Sequence, residues 1–228
     1  MQLPNARCRK PDAPVLFCFA LKEEAAPFQR IAADGSGISV LITGIGCKNA
    51  EKSVRQFLAN NSPKLVLTCG FAGGLNPDLK LGDVVFELPD SKRETPNSKL
   101  HEHLLAAGAK PAKFFCAGRI ATTIAEKKKL REETGADAIE MESEMIHSVC
   151  RERGIPCATI RAISDTAEED LPLDFNRLSK SDQSLDYAKL FLALAKSPGK
   201  IGALMELQKK TRFAAEQLAA ILAKITVP

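Results

Sequence analysis

The sequence predicts an α/β fold in which helices cover both faces of a mixed, mainly parallel sheet. Short apolar runs of strand length recur along the chain, and amphipathic stretches of helical length separate several of them. This alternation requires crossover connections, which make neighbouring strands parallel. The predicted strands are VLFCFA (15–20), ISVLIT (38–43), KLVLTC (64–69), DVVFEL (83–88), KFFCAG (113–118), ADAIEM (136–141) and CATIRAIS (157–164).

The helices are predicted from the spacing of their apolar residues. CKNAEKSVRQFLAN (47–60) follows the second strand, and ESEMIHSVCRER (142–153) follows the sixth. Each has apolar residues three or four positions apart, which is typical of a helix with one buried face. From Leu185 onward the chain is rich in alanine and leucine, which predicts a helical tail packed over the sheet.

We expect one domain. The chain has 228 residues, of which 45% are hydrophobic, enough for one sizeable core, and nothing in the sequence marks a second unit. We assign residues 1–14 to an N-terminal tail and residues 15–228 to the domain. The tail, MQLPNARCRKPDAP, lacks the long apolar stretch of a signal peptide or membrane span, so a cytoplasmic location is expected.

Composition argues against several classes of protein. The seven cysteines are scattered without a CxxC motif, which favours reduced thiols over disulfides or a zinc site. A net charge of +4, one tyrosine and no tryptophan do not suit a nucleic-acid-binding surface. The lysines at 127–129 are interpreted as a solvated helix face. His101 and His103 lack a third ligand and are assigned to a surface loop, and His147 to a helix flank, so no metal site is expected.

Glycines follow two of the predicted strands. TGIG (43–46) ends the second strand, and CGFAGG (69–74) ends the third. Glycine allows a backbone to approach a ligand closely or to adopt a positive φ. Asn49 stands where a dinucleotide-binding fingerprint requires its third glycine, so that motif is not met. Each loop, taken alone, is equally well explained by a tight turn or by contact with a ligand.

Glu142 is predicted to be buried. On a helix that begins near Glu142, the apolar residues Met145, Ile146 and Val149 share its face, whereas Glu144 points away. A buried carboxylate costs several kcal/mol unless a partner or a ligand compensates it. That partner is either Arg161, on the neighbouring apolar strand, or a ligand.

Asp165, at the end of the last strand, also has two interpretations. It is either a functional acid or a turn cap, which is a common role for aspartate in an SDT sequence.

Five blocks resemble the purine nucleoside phosphorylase and methylthioadenosine/adenosylhomocysteine nucleosidase superfamily. They span most of residues 15–170, and the combination of EME and RAISD at two strand ends is specific. The resemblance implies a three-layer α/β/α sandwich. The blocks are ALKEEAAPF (20–28), TGIGCKNA (43–50), CGFAGGLNPDLKLGDVV (69–85), AIEMES (138–143) and IRAISD (160–165).

The resemblance also implies roles for individual residues. Glu24 matches the base that activates water, and Asp165 matches the acid that protonates purine N7. Glu142 and Met141 match contacts to the ribose, and Arg161 matches a residue near the water; Glu140 and Glu144 inherit no direct catalytic role. The remaining substrate-binding positions implied are Gly46, Gly70, Phe71, Ala72, Gly73 and Ser164.

These roles suit cleavage of an N-glycosidic bond. One acid must give a proton to the departing purine, and a second carboxylate must remain ionised to activate water on the other face of the sugar. Asp165 and Glu24 match these two requirements. Glu142, bound to ribose hydroxyls, would hold the sugar more tightly as positive charge develops at C1′.

Three functions follow from the resemblance. The first is hydrolysis of a 5′-substituted adenosine such as methylthioadenosine or adenosylhomocysteine, which is favoured because residues 68–74 lack the arginine that bacterial phosphorylases use. The second is a phosphorylase with phosphate as co-substrate, since residues 118–143 resemble the hopanoid-associated branch that acts on an adenosyl lipid. The third is a non-catalytic nucleoside-binding relative.

The resemblance implies no metal or organic cofactor and allows a homodimer. It also shows differences from typical nucleosidases: Phe71 stands where the family often has serine, the segment after Leu88 is short, and the aromatic residue expected to stack on the purine after KFFCAG is missing.

Overall fold

The computed structural model describes residues 15–32, 37–88, 96–178 and 199–226. The predicted tail 1–14 and the start of the predicted helical region at Leu185 lie outside these ranges. Residues within them form one eight-stranded sheet. The strands are β1 Val15–Phe19, β2 Ile38–Ile42, β3 Leu65–Gly74, β4 Val84–Glu87, β5 Lys110–Pro111, β6 Phe114–Cys116, β7 Ala138–Glu140 and β8 Cys157–Asp165.

Each of the seven predicted runs forms a strand, and β5 is an additional short one. Helices connect many of the strands, as predicted. The helices are α1 Lys22–Ile31, α2 Cys47–Leu58, α3 Pro96–Ala107, α4 Ile124–Thr134, α5 Ser143–Glu152, α6 Phe175–Leu178 and α7 Lys200–Thr226.

The sheet is mixed and mainly parallel, as predicted. Its main path runs in the order β2, β1, β3, β8, β4, β5, and β7 links β3 to β6. The strand pairs are parallel except where β4 meets β8 and where β7 meets β3. The carboxyl ends of β1, β2, β3 and β8 therefore lie at one edge, where such folds bind ligands.

Helices pack on both faces of the sheet. Alternate residues of β1 point to opposite faces: Phe17 lies in a cluster with residues from α1, α3 and α7, and Leu16 lies in a cluster with residues from α2 and α5. Two apolar layers therefore enclose the sheet. This arrangement confirms the three-layer α/β/α sandwich.

The prediction that residues 70–74 form a loop is wrong, because β3 continues through Gly74. Gly73 and Gly74 pair with β7, and the opposite edge of β3 pairs with β8 along most of its length. Ladder hydrogen bonds on both sides overcome the low strand propensity of glycine. Gly70 lies opposite Arg161, and because the register shifts between Ala72 and Gly73, Gly73 lies opposite Asp165.

Two histidine predictions need correction, and one is confirmed. His101 and His103 lie on α3 rather than in a loop, and the His101 ring packs edge-on against Phe86 at 5.3 Å. His147 lies half-buried on α5, with Nε2 2.9 Å from Thr159 Oγ1. Within the described ranges no group of histidine, cysteine, aspartate or glutamate side chains is arranged to hold a metal ion.

The cysteines within the described ranges carry free thiols, and Cys8 lies outside those ranges. Of the helices that the structure describes, none has the length and apolar character needed to cross a membrane.

Candidate active site

Glu24 is positioned by the first turn of α1 and by β3. Its side chain is 4% exposed. Oε2 accepts a hydrogen bond of 2.9 Å from the backbone N–H of Leu21, the residue that precedes the helix. Oε1 accepts one of 2.9 Å from the backbone N–H of Phe71. The carboxylate is therefore fixed at both oxygens by main-chain donors.

Gly70 provides the space between Glu24 and Arg161. A Cβ atom at this position would lie 2.7 Å from Arg161 Nη1 and 2.8 Å from Glu24 Oε1, and the backbone φ is +146°. Real Cβ atoms do not approach heavy atoms so closely. Glycine is thus required for Glu24 and Arg161 to approach the same point of β3.

Arg161 lies on β8, and 1% of its surface is exposed. It is surrounded by three glutamates, Glu24, Glu140 and Glu142, which we call the acidic cluster. Its Nη2 donates hydrogen bonds of 2.7 Å to Glu140 Oε2 and 3.0 Å to Thr68 Oγ1. Its Nη1 lies 3.3 Å from Glu142 Oε2. The predicted pair between Glu142 and Arg161 is therefore present, and Arg161 Nε is buried without a hydrogen-bond partner among the described residues.

Glu142 is buried, as the helical pattern predicted, and Ile146 and Val149 are buried on the helix that follows, whereas Glu144 is exposed. Glu142 Oε1 accepts a hydrogen bond of 2.8 Å from the backbone N–H of Gly46. Gly46 precedes α2 with a φ of 85°, which glycine adopts readily. The TGIG turn (43–46) thus holds the Glu142 carboxylate through the main chain of Gly46.

Glu140 contributes more than the sequence indicated. Its Oε2 accepts hydrogen bonds from the backbone N–H groups of Glu142 and Ser143 at 2.9 and 2.8 Å, and Oε1 accepts one of 2.5 Å from Ser143 Oγ. Glu140 thereby caps the start of α5 and also pairs with Arg161. Its position two residues before another buried glutamate was the available signal, but the resemblance assigns it no catalytic role.

The three glutamates differ in their protonation behaviour. Burial raises the pKa of Glu24 from 4.5 to about 7, although the charge of Arg161 acts in the opposite direction. Burial also raises the pKa of Glu142, again opposed by Arg161. For Glu140, burial is outweighed by the charge of Arg161 and the hydrogen bonds from Ser143 and Glu142, so its pKa is lowered. Glu24 is the carboxylate suited to exchange a proton near neutral pH.

Asp165 ends β8 at the same edge of the sheet. Its Oδ1 accepts a hydrogen bond of 2.8 Å from Ser164 Oγ, and its Oδ2 lies 2.6 Å from Lys127 Nζ. A Cβ atom on Gly73 would lie 3.1 Å from Oδ2 and 3.1 Å from Ile139 Cγ2, so a side chain there would require these neighbours to shift by a few tenths of an ångström. The prediction that the lysines at 127–129 form a solvated helix face is wrong for Lys127, which is fully buried.

The other predicted binding residues contribute through their backbone or lie at the margin of the site. The Phe71 side chain packs against one apolar cluster of the core, and the Ala72 side chain is buried in another. The Ala72 carbonyl accepts a hydrogen bond of 3.4 Å from Ser164 Oγ. Met141 is half-buried, and its carbonyl accepts a hydrogen bond of 3.1 Å from Cys47 Sγ.

A cavity of about 490 Å³ opens at the end of β6. Ile139 lines the cavity and also lies against Gly73, but Glu24, Glu142, Arg161 and Asp165 are not among the lining residues. The cavity occupies the region after KFFCAG, and Phe115 supplies an aromatic ring to its wall. Its lining consists of Phe115, Cys116, Ala117, Gly118, Arg119, Ala121, Glu126, Leu130 and Ile139.

Known proteins share this fold. The futalosine hydrolase of Helicobacter pylori superposes with a TM-score of 0.66 at 19% identity, covering 92% of this chain and 96% of the hydrolase. The 5′-methylthioadenosine/S-adenosylhomocysteine nucleosidase of Neisseria meningitidis, solved with methylthio-immucillin-A, superposes with a TM-score of 0.65 at 20% identity, covering 92% of this chain and 97% of that one.

Sequence comparison leads to the same group of proteins. A 5′-methylthioadenosine/S-adenosylhomocysteine nucleosidase from Shewanella halifaxensis is 26% identical over 182 residues, which are 66% of this chain and 79% of the relative. The family model described as phosphorylase superfamily matches residues 20–86 and 89–196, which is most of the chain and includes Glu24, Arg161 and Asp165. The protein therefore belongs to the phosphorylase superfamily.

Proposed function

We propose that this protein hydrolyses the N-glycosidic bond of a 5′-substituted adenosine. The observation that carries the proposal is that a buried Glu24, with a pKa of about 7, and a buried Arg161 meet at the same face of Gly70. Relatives of this chain are named as nucleosidases acting on methylthioadenosine and adenosylhomocysteine, which supports the choice of substrate.

In the proposed reaction, the C1′–N9 bond breaks and its electron pair moves into the purine. Asp165 gives a proton to N7, so that adenine leaves as a neutral base. Glu24 takes a proton from the water that attacks C1′, and Glu142 binds the ribose hydroxyls as positive charge develops on the sugar. The products are adenine and the free 5′-substituted ribose.

The charges around Arg161 favour water over phosphate as the nucleophile. Its guanidinium pairs with Glu140 and Glu142, and Glu24 approaches it at the same face of Gly70. A phosphate dianion at this place would meet more carboxylates than cations, and like charges at close range are strongly unfavourable at a buried site. Water carries no such penalty, and Arg161 Nε can donate a hydrogen bond to it.

The proposal needs no metal or organic cofactor, because carboxylic acids supply both proton transfers. We further propose that residues 15–228 act as a single domain in the cytoplasm. A homodimer is the proposed assembly, and light scattering of the purified protein measures it.

The test is release of adenine from methylthioadenosine and adenosylhomocysteine in phosphate-free buffer, followed by the same assay with phosphate added. We expect adenine release without phosphate, unchanged by its addition, and a free sugar as the second product. Strict dependence on phosphate with a ribose 1-phosphate product would identify a phosphorylase. Binding of adenine without turnover of these nucleosides, adenosine or an adenosyl lipid would identify a non-catalytic relative.

A further inference from the structure

Lys127 differs from the two lysines that follow it on α4. Its side chain is 0% exposed, whereas Lys128 and Lys129 are exposed. Burying an ammonium group costs several kcal/mol unless its charge and its hydrogens are matched by partners. The partners of Lys127 therefore indicate what the residue does.

Each hydrogen of the Lys127 ammonium group has an acceptor. Nζ lies 2.6 Å from Asp165 Oδ2, 2.6 Å from the Thr166 carbonyl oxygen and 3.0 Å from the Glu169 carbonyl oxygen. Both carbonyls belong to the turn that follows β8, so their hydrogen bonds to Lys127 fix this turn. The carboxylate of Glu169 also pairs with Lys210 from α7. The Lys127 Nζ is thus held against Asp165 by contacts from both ends of the turn.

Asp165 accepts a hydrogen bond at each oxygen, from Ser164 Oγ and from Lys127 Nζ. Both oxygens thus accept hydrogen bonds, and a proton that leaves Asp165 for a purine can be replaced by a donor already in contact with it. The nearest proton to Oδ2 is the one on Lys127, across a 2.6 Å contact.

We propose that Lys127 is the source of the proton that reaches the leaving purine, as a positioning residue that acts through Asp165. This inference rests on the proposed function. The Nζ–H bond breaks as an O–H bond forms at Asp165, and that O–H bond breaks in turn as an N–H bond forms at purine N7. Lys127 is left neutral, and it recovers a proton through solvent when Glu24 releases the one taken from the attacking water.

The test compares two substrates that differ in their need for a proton. Methylthioadenosine must be protonated at N7 to lose adenine, whereas 4-nitrophenyl 5-methylthio-β-D-riboside loses a stable phenolate without protonation. For Lys127→Met we expect kcat on methylthioadenosine to fall by about 100-fold or more, with turnover of the nitrophenyl riboside retained. Asp165→Asn is expected to show the same selective loss. The exposed neighbour provides the matched control, Lys128→Met, which should change neither rate.

Lys127→Arg separates proton supply from charge. It keeps a cation and hydrogen-bond donors beside Asp165, but a guanidinium does not release a proton near neutral pH. We expect it to remain defective on methylthioadenosine and active on the riboside. Recovery of methylthioadenosine cleavage in Lys127→Arg, or equal losses on both substrates in Lys127→Met, would overturn the inference. A wild-type protein inactive on both substrates would instead overturn the proposed function on which it rests.

Discussion

The backbone N–H of Phe71 donates a hydrogen bond of 2.9 Å to Oε1 of Glu24 and so joins the third strand to the first helix. From the family resemblance, serine is expected at this position, and phenylalanine has no hydroxyl. The contact comes from the main chain, and the Phe71 side chain packs against the apolar core. The phenylalanine is therefore compatible with a functional Glu24.

For a nucleoside that the wild type cleaves, replacing Glu24 with glutamine is expected to lower kcat by about 100- to 10,000-fold. The reason is that an amide cannot accept the proton of the attacking water. Steady-state kinetics measure the effect. Glu23→Gln is the matched control, since Glu23 is exposed one residue earlier on the same helix. Near-normal turnover by Glu24→Gln would exclude the residue as the base.

Glu24 also makes stability depend on pH. Its pKa is raised from 4.5 to about 7 in the folded protein, chiefly by burial, so the folded state binds more protons than the unfolded state between these values. Its contribution to the free energy of unfolding is fully present below the lower value and is lost as pH rises through the upper one, by on the order of 3 kcal/mol. Urea unfolding should show that the free energy of unfolding decreases less from pH 5 to pH 8 for Glu24→Gln than for the wild type. Equal decreases would contradict the raised pKa.

Asp165→Asn is expected to abolish adenine release in protein that still folds, with a lowered melting temperature because the ion pair to the buried Lys127 is lost. Asparagine caps turns about as well as aspartate but cannot pass a proton to the purine. Adenine formation and circular dichroism measure the two effects. Glu168→Gln, an exposed change in the turn after β8, serves as the control. If Asp165 only capped this turn, both variants would be equally active.

Glu142→Gln is expected to reduce kcat/KM more for a ribonucleoside than for its 2′-deoxy analogue, because the lost interaction is with a hydroxyl that the analogue lacks. The measurement is the ratio of kcat/KM values for the two substrates, with the exposed Glu144→Gln as control. Equal losses on both substrates would mean that Glu142 serves mainly to pair with Arg161, which lies 3.3 Å away.

Gly70→Ala is expected to lower kcat by about 100-fold, because the added methyl group would displace Glu24 and Arg161, and catalytic groups tolerate little displacement. Gly202→Ala is the control, as no atom lies within 4 Å of the position a Cβ would take there. Kinetics and thermal unfolding together separate the local effect from loss of the fold. Full activity in Gly70→Ala would show that the two side chains need not meet at β3.

Local patterns predicted the strands and the burial of Glu142, because both follow from the spacing of apolar residues. They did not predict that β3 continues through its glycines, since the ladders that impose it come from β7 and β8, remote in sequence. Nor did they identify Lys127, because consecutive lysines look alike until the turn after β8 packs against one of them. The link between Arg161 and Glu140 likewise depends on strands that only the folded sheet brings together.

The acids of this site are held largely by main-chain amides: Glu24 by those of Leu21 and Phe71, and Glu142 by that of Gly46. An amide donor is present whichever side chain its residue carries, proline excepted. Substitutions at such positions can accumulate over evolution without moving the carboxylates, provided that the backbone path is kept. Lineages whose sequences have drifted far apart can thus retain the same acid geometry, and their substrate preference is free to diverge through the surrounding side chains.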